Sequence, residues 1–104
     1  MNYKIFKPYE DRMIAFSTER EGYFSNGSEG VSNEAYGSLN LCHYVGDNPD
    51  HVAHNRQLFC QYHNIEREML FVPRQTHLSN VKRIHPGIDL EETDGLISNI
   101  KGSC

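Results

Sequence analysis

One stretch of this chain carries the best-defined set of helix signals, and it limits the fold more than any other feature. Asp47 or Asn48 can cap a helix, Pro49 fits the first helical position, and Asp50 favours the positive end of the dipole. Val52, Leu58, Phe59 and Tyr62 follow as an apolar stripe near helical spacing, with Ile65 beyond it. The spacing predicts a helix from Pro49 to about Tyr62. Elsewhere the apolar runs are too short for helices. Residues 13–17 (Met-Ile-Ala-Phe-Ser) read as a buried strand, and 69–72 as a strand stopped by Pro73. Residues 80–84 and 94–98 read as two more strands, the first followed by a Pro86-Gly87 turn. Residues 38–42 alternate and suit an extended segment, and 99–102 look like a hairpin turn into another strand. No regular βαβ alternation links these pieces. The expected class is α+β, mixed strands packed with one or two helices.

Residues 19–35 are rich in Gly, Ser, Asn and Glu and read as a long loop, of a length that is often functional. With 104 residues and 38% of them hydrophobic, the chain can build a modest core for one domain or part of one. It stops directly after an apolar run and a turn signal, so it reads as the N-terminal portion of a larger single domain. Net charge is −4 and no Lys/Arg run occurs, which argues against a nucleic-acid partner. No segment approaches the ~18 apolar residues that span a bilayer, and the N-terminus lacks a signal-peptide core. A cytoplasmic protein without a membrane partner is expected. Cys42, Cys60 and Cys104 are an odd set without framework spacing and suit reduced thiols.

Chemistry concentrates in residues 73–81, Pro-Arg-Gln-Thr-His-Leu-Ser-Asn-Val. His77 sits in a short polar loop after a strand, where an imidazole can be aimed at a pocket as a zinc or copper ligand. A capping or surface histidine is the plainer reading. Gln75 can orient that ring or bond nearby backbone. Arg56, inside the helix, can face an anion or simply lie on the helix surface. Asn40 can line a pocket or bond the backbone of its own segment. Cys60 with His63, and His51 with His54, have ligand spacing but no partners, so core cysteine and solvated histidines are the better readings. Ser79, His77 and Asp94 form a conceivable triad without a nucleophile-elbow sequence.

Several segments together resemble one family. Gly30-Val31-Ser32 precedes Tyr36-Gly37-Ser38-Leu39-Asn40-Leu41. Then come the run from His43 to Val52, with Val45-Gly46-Asp47-Asn48-Pro49 at its centre, Asn55-Arg56, and Gln75-Thr76-His77. Thr18 and Arg20 match a further Thr-Arg element. In order and spacing these resemble the N-terminal part of the laccase-domain family, whose members are described as multicopper polyphenol oxidase-like, purine nucleoside phosphorylase-like or peptidoglycan editing factors. The resemblance spans residues 13–104.

The resemblance implies a catalytic zinc held by two histidines and a cysteine, with His77 as the first histidine. The cysteine belongs to an Ala-Asp-Cys motif and the second histidine to a His-Ala-Gly-Trp motif, and neither occurs in this sequence. Cys104 follows Gly-Ser and reads as a strand residue. Leu78 stands where the family has glycine, a residue that permits positive φ. The implied activity is zinc-dependent phosphorolysis of purine nucleosides (adenosine, inosine, guanosine) with phosphate, and deamination of adenosine. His77 would be the ligand, and Arg56, Asn40 and Gln75 would be substrate-side groups. This chain alone would be inactive. Copper-dependent phenol oxidation and editing of peptidoglycan precursors are the family's other readings. A module of another class would bind a partner, or a second copy, through an exposed sheet edge.

Overall fold

The computed structural model describes residues 4–9, 11–19 and 24–104, with 4–6 described by their backbone only. Arg20 and Gly22 lie outside the described residues. The architecture is α+β, as expected. A 3-10 helix at Lys4–Tyr9 leads to an extended segment, and helix α1 spans Pro49–His63. Strands β1 (Val81–Arg83) and β2 (Gly95–Ile97) then pair in parallel, with Val81 opposite Gly95 and Arg83 opposite Ile97. Among the described residues no helix is long and apolar enough to cross a membrane.

Helix α1 forms where its signals lie. The Asn48 side chain accepts the Asp50 amide at 2.9 Å, Pro49 opens the helix, and Asp50 sits in the first turn. Asn64 ends it in the left-handed conformation, its amide returning to the Cys60 and Gln61 carbonyls. The buried face is Val52, Asn55, Phe59 and Cys60. The expected stripe needs correction at two places: Leu58 is half-buried and Tyr62 is exposed, while the polar Asn55 is wholly inside.

The apolar core is small. Leu39, Val52, Phe59, Cys60 and Ile84 are its buried members. Burying such side chains contributes roughly 1.5–3 kcal/mol each. Around Phe59 the rings of Phe16 and His63 close at 6.1 and 4.6 Å, and Phe24 stacks on Tyr62 at 4.7 Å. Phe16 and Glu29 are isolated bridge positions, so residues 13–17 do not form the expected buried strand. Ile14 is 77% exposed, because the segment makes one bridge rather than a ladder.

Residues 69–72 also differ from expectation. Arg67–Met69 is a turn of 3-10 helix, and the backbone becomes extended only after it. The Cys104 amide donates to the Met69 carbonyl at 2.8 Å, and the Phe71 amide donates to the Cys104 carbonyl at 2.7 Å. That is the pattern of a parallel bridge around Leu70. Cys104 is thus a strand-like residue, as its sequence context suggested. The turn at 100–103 delivers it to Leu70 rather than folding back on β2 as a hairpin. The Pro86-Gly87 turn is present, with the Ile88 amide donating to the His85 carbonyl at 3.2 Å. Val81 and Ile97 lie on the same face of the β1–β2 pair, 62% and 59% exposed.

Gly30 shows why the loop before α1 needs glycine. A Cβ there would stand 2.3 Å from the Ser38 carbonyl oxygen and 2.6 Å from the Leu39 Cα. Both obstacles are backbone, so no side chain can swing aside. Gly30→Ala is therefore expected to cost about 3 kcal/mol, the upper end of overpacking, read as a lower urea midpoint at unchanged m-value.

Candidate functional site

Asn55 is fully buried and ties two separate stretches, 31–32 and 38–40, to α1. Its Oδ1 accepts the Val31 amide at 2.8 Å, while its Nδ2 donates to Ser32 Oγ and the Asn40 carbonyl, both at 2.9 Å, and to the Ser38 carbonyl at 3.3 Å. Ser32 Oγ in turn donates to Asp47 Oδ2 at 2.5 Å, and Asn40 Nδ2 donates to the same oxygen at 3.1 Å. Ser32, Asn40 and Asp47, one side chain from each of the Gly-Val-Ser, Ser-Leu-Asn-Leu and Val-Gly-Asp-Asn segments, thus meet in one polar knot. Buried amides persist only when their hydrogen bonds are met, and here they are.

The Ser32 hydroxyl, with the Asn40 side chain and the Asn48 amide, holds Asp47 below the usual carboxylate range despite the opposing effect of burial. A lowered folded pKa gives stability that is complete above the unfolded value and lost as pH falls through the folded one. The urea midpoint should therefore be level above pH 3.8 for this group and decline below it, with a shallower decline in Asp47→Asn. An equally steep decline in that variant would remove Asp47 from the acid response.

Arg56 is half-buried rather than a free surface arginine. Its Nε donates to the Leu41 carbonyl at 2.8 Å and its Nη2 to His43 Nδ1 at 2.9 Å. Burial, and then the Arg56 charge, lower the His43 pKa and favour the neutral ring, which accepts at Nδ1 and keeps its proton on Nε2. The His43 ring meets Tyr44 edge-on at 5.3 Å, and the Arg74 guanidinium lies 5.7 Å from the centre of the Tyr44 ring. Arg74 in turn approaches Glu91 at 3.6 Å. These contacts link Arg56 on α1 to the beginning of the loop that carries His77. Sequence reasoning missed His43, Tyr44 and Arg74 as a group, because only folding brings position 74 to position 44.

Asn40 does both things expected of it. It accepts the Cys42 amide at 3.0 Å, donates to Asp47, and lines an open groove of about 370 Å³ with Thr18, Ala35, Tyr36, Leu39, Leu41 and Cys42. Gln75 is exposed and makes no hydrogen bond to the His77 ring. His77 is exposed and adopts a left-handed backbone conformation, φ 61°. The positive φ that glycine would permit thus falls on the histidine itself, and Leu78, 74% exposed, is free of it.

What fixes this loop is Asp94. Its Oδ1 accepts the amides of Thr76 at 2.7 Å and His77 at 2.6 Å, and its Oδ2 accepts the Asn80 amide at 3.2 Å and the Thr76 hydroxyl at 3.1 Å. Partial burial pushes Asp94 up, but hydrogen bonds from the amides of Asn80, Thr76 and Leu78 and from the Thr76 hydroxyl outweigh it and hold the carboxyl at about 2. Converging amides of this kind form a nest for an anion, here filled from within the chain. Asp94 is therefore occupied by backbone, not arranged as the acid of a Ser-His-Asp triad.

Cys60 is a core residue, and burial raises its pKa. His63 is not solvated as expected but packs 4.7 Å from Phe16 and 4.6 Å from Phe59, and burial lowers its pKa. Among the described residues no three His, Cys, Asp or Glu side chains converge to hold a metal ion. His77 is one suitable donor, and the carboxylate beside it is already engaged. The donors among the described residues do not by themselves make a metal centre.

Residues 21–104 match the model of the multi-copper polyphenol oxidoreductase laccase family, and the chain belongs to that family. Residues 13–20 of the resemblance fall outside that match. A purine nucleoside phosphorylase of Corynebacterium glutamicum is 31% identical over 83 residues, which cover 76% of this chain and 34% of that protein. The chain thus spans about a third of the length of the curated relative it matches. No solved structure matches it.

Proposed function

We propose that the complete protein is a zinc-dependent purine nucleoside phosphorylase acting on adenosine, inosine and guanosine, with adenosine deamination as a second activity. The observation that carries this reading is the identity shared with a relative named as a purine nucleoside phosphorylase. Phosphorolysis exchanges the bond between base nitrogen and sugar carbon for a bond to a phosphate oxygen, so a site needs an anion holder beside the leaving base. Arg56 suits the holding of an anion, because its two hydrogen bonds use Nε and Nη2 and fix the guanidinium plane, leaving Nη1 outside them. His77 is assigned to the metal and the chemistry, and Asn40 and Gln75 to the substrate side. When bound, zinc would supply a Lewis acid and a lowered water pKa. The isolated 104-residue chain, with one donor, is expected to retain well under one zinc per chain after dialysis; stoichiometric retention would show that the site is closed by other residues of this chain.

Copper-dependent oxidation of phenols is a second reading, favoured by the description of the family. Copper enters a nitrogen and sulfur site readily, so such activity can follow metal loading. Self-association through the sheet is a third, favoured by exposed Val81 and Ile97 on one face, and gel filtration tests it. The deciding experiment is phosphate-dependent release of free base by the complete protein, with and without chelator. Base release that needs phosphate and is lost on chelation supports the proposal. Phenol oxidation with no base release overturns it.

A further inference from the structure

The geometry points to Asp94 as a positioning residue that fixes the backbone of His77 and so the direction in which its side chain leaves the main chain. This rests on the assignment of His77 as a functional group. A non-glycine residue at φ 61° is intrinsically disfavoured by roughly 1–2 kcal/mol, so something must hold His77 there. Its ring makes no hydrogen bond among the described residues, and its side chain is exposed. The restraint comes through the main chain instead. One carboxylate oxygen takes the amides of Thr76 and His77, and the other takes the amide of Asn80 and the Thr76 hydroxyl. Residues on both sides of the histidine are thereby tied to a single point at the start of β2.

That point is itself held. The Asp94 and Gly95 amides both donate to the Asn80 carbonyl, at 2.8 and 3.2 Å, so loop and strand are stitched in both directions. The Asn80 side chain donates to the Glu92 carbonyl at 3.1 Å, and the neighbouring Thr93 is fully buried with its amide on the Arg74 carbonyl. Asp94 is thus mounted beside the buried Thr93 and reaches across to the exposed loop that carries His77. Functional groups carried on loops need such support, because an error of about 1 Å in their placement is costly.

Asp94→Asn tests this with little change of shape. It keeps one acceptor oxygen for the Thr76 and His77 amides and turns an amide donor towards Asn80. In the complete protein, amide hydrogen exchange at Thr76, His77 and Asn80 should rise at least tenfold while amides of α1 stay as in wild type. Zinc affinity, measured by chelator competition, should fall about tenfold, within the range seen when a group that orients a ligand is removed. Asp94→Ala should exceed both effects; if it fails to fold, the asparagine variant still decides. Unchanged exchange in the loop, or loosened exchange with unchanged zinc affinity, overturns the inference. His77→Ala, measured alongside, separates the two levels. If that variant keeps wild-type zinc affinity, the assignment of His77 fails. If it loses zinc while Asp94→Asn does not, only the role of Asp94 fails.

Discussion

His77→Ala in the complete protein is expected to reduce phosphorolysis about a hundredfold or more while leaving the fold intact. Removing a group that merely orients a metal ligand typically costs 10–100-fold, and a ligand itself should cost at least the upper figure. The fold should survive because the structural contribution of this residue is its amide, which Asp94 accepts and which alanine retains. The ring is exposed and makes no hydrogen bond among the described residues. His77→Gly is the informative companion. Glycine adopts φ 61° without strain and should match or exceed wild-type stability, yet it should be as inactive as the alanine variant. Activity lost with stability kept would separate function from folding. Unchanged turnover in both variants would remove His77 from the chemistry.

Asn55→Ala is expected to destabilise the fold by about 3 kcal/mol, as much as truncating an apolar core residue. The substitution strands the Val31 amide and the Asn40 carbonyl and takes a donor from the Ser38 carbonyl, while the Ser32 hydroxyl keeps its bond to Asp47. Each buried group left unpaired costs roughly 1–3 kcal/mol, and one of these can recover partners by small shifts. Against a total stability of roughly 5–15 kcal/mol, such a loss is large. Asn55→Asp sharpens the test. It preserves shape and the acceptor for Val31 but aims an oxygen at the Ser38 and Asn40 carbonyls, so it should be no better tolerated. Urea unfolding of both variants reads the outcome, and a loss under 1 kcal/mol in each would show that α1 is held by its apolar contacts alone.

The parts of this molecule that were legible in its sequence are those decided locally. Asn48, Pro49 and Asp50 act within one turn, and they place the start of α1 correctly. β1 and β2 fall inside the two expected strand segments because turn residues border them. Residues 13–17 and 69–72 have the same apolar character but no long ladder to join, and partnership is a property of the whole fold. Asn55 left one trace: it lies in phase with Val52 and Phe59, where an amide is a poor choice unless its hydrogen bonds are met inside. Asp94 left less, since only tertiary structure shows that its carboxylate faces the amides of residues eighteen positions earlier. His77 was legible as a residue, while the conformation that distinguishes it was not.

The knot around Asn55 also constrains how this region can change over time. Asn55, Ser32 and Asp47 form one relay of side-chain hydrogen bonds, joined at Asp47 by the Asn40 side chain, so altering one leaves its neighbours in the relay mismatched. Their substitutions should be strongly non-additive, the second change costing far less than the first. A change at one of these linked positions is therefore best tolerated together with a change at its partner.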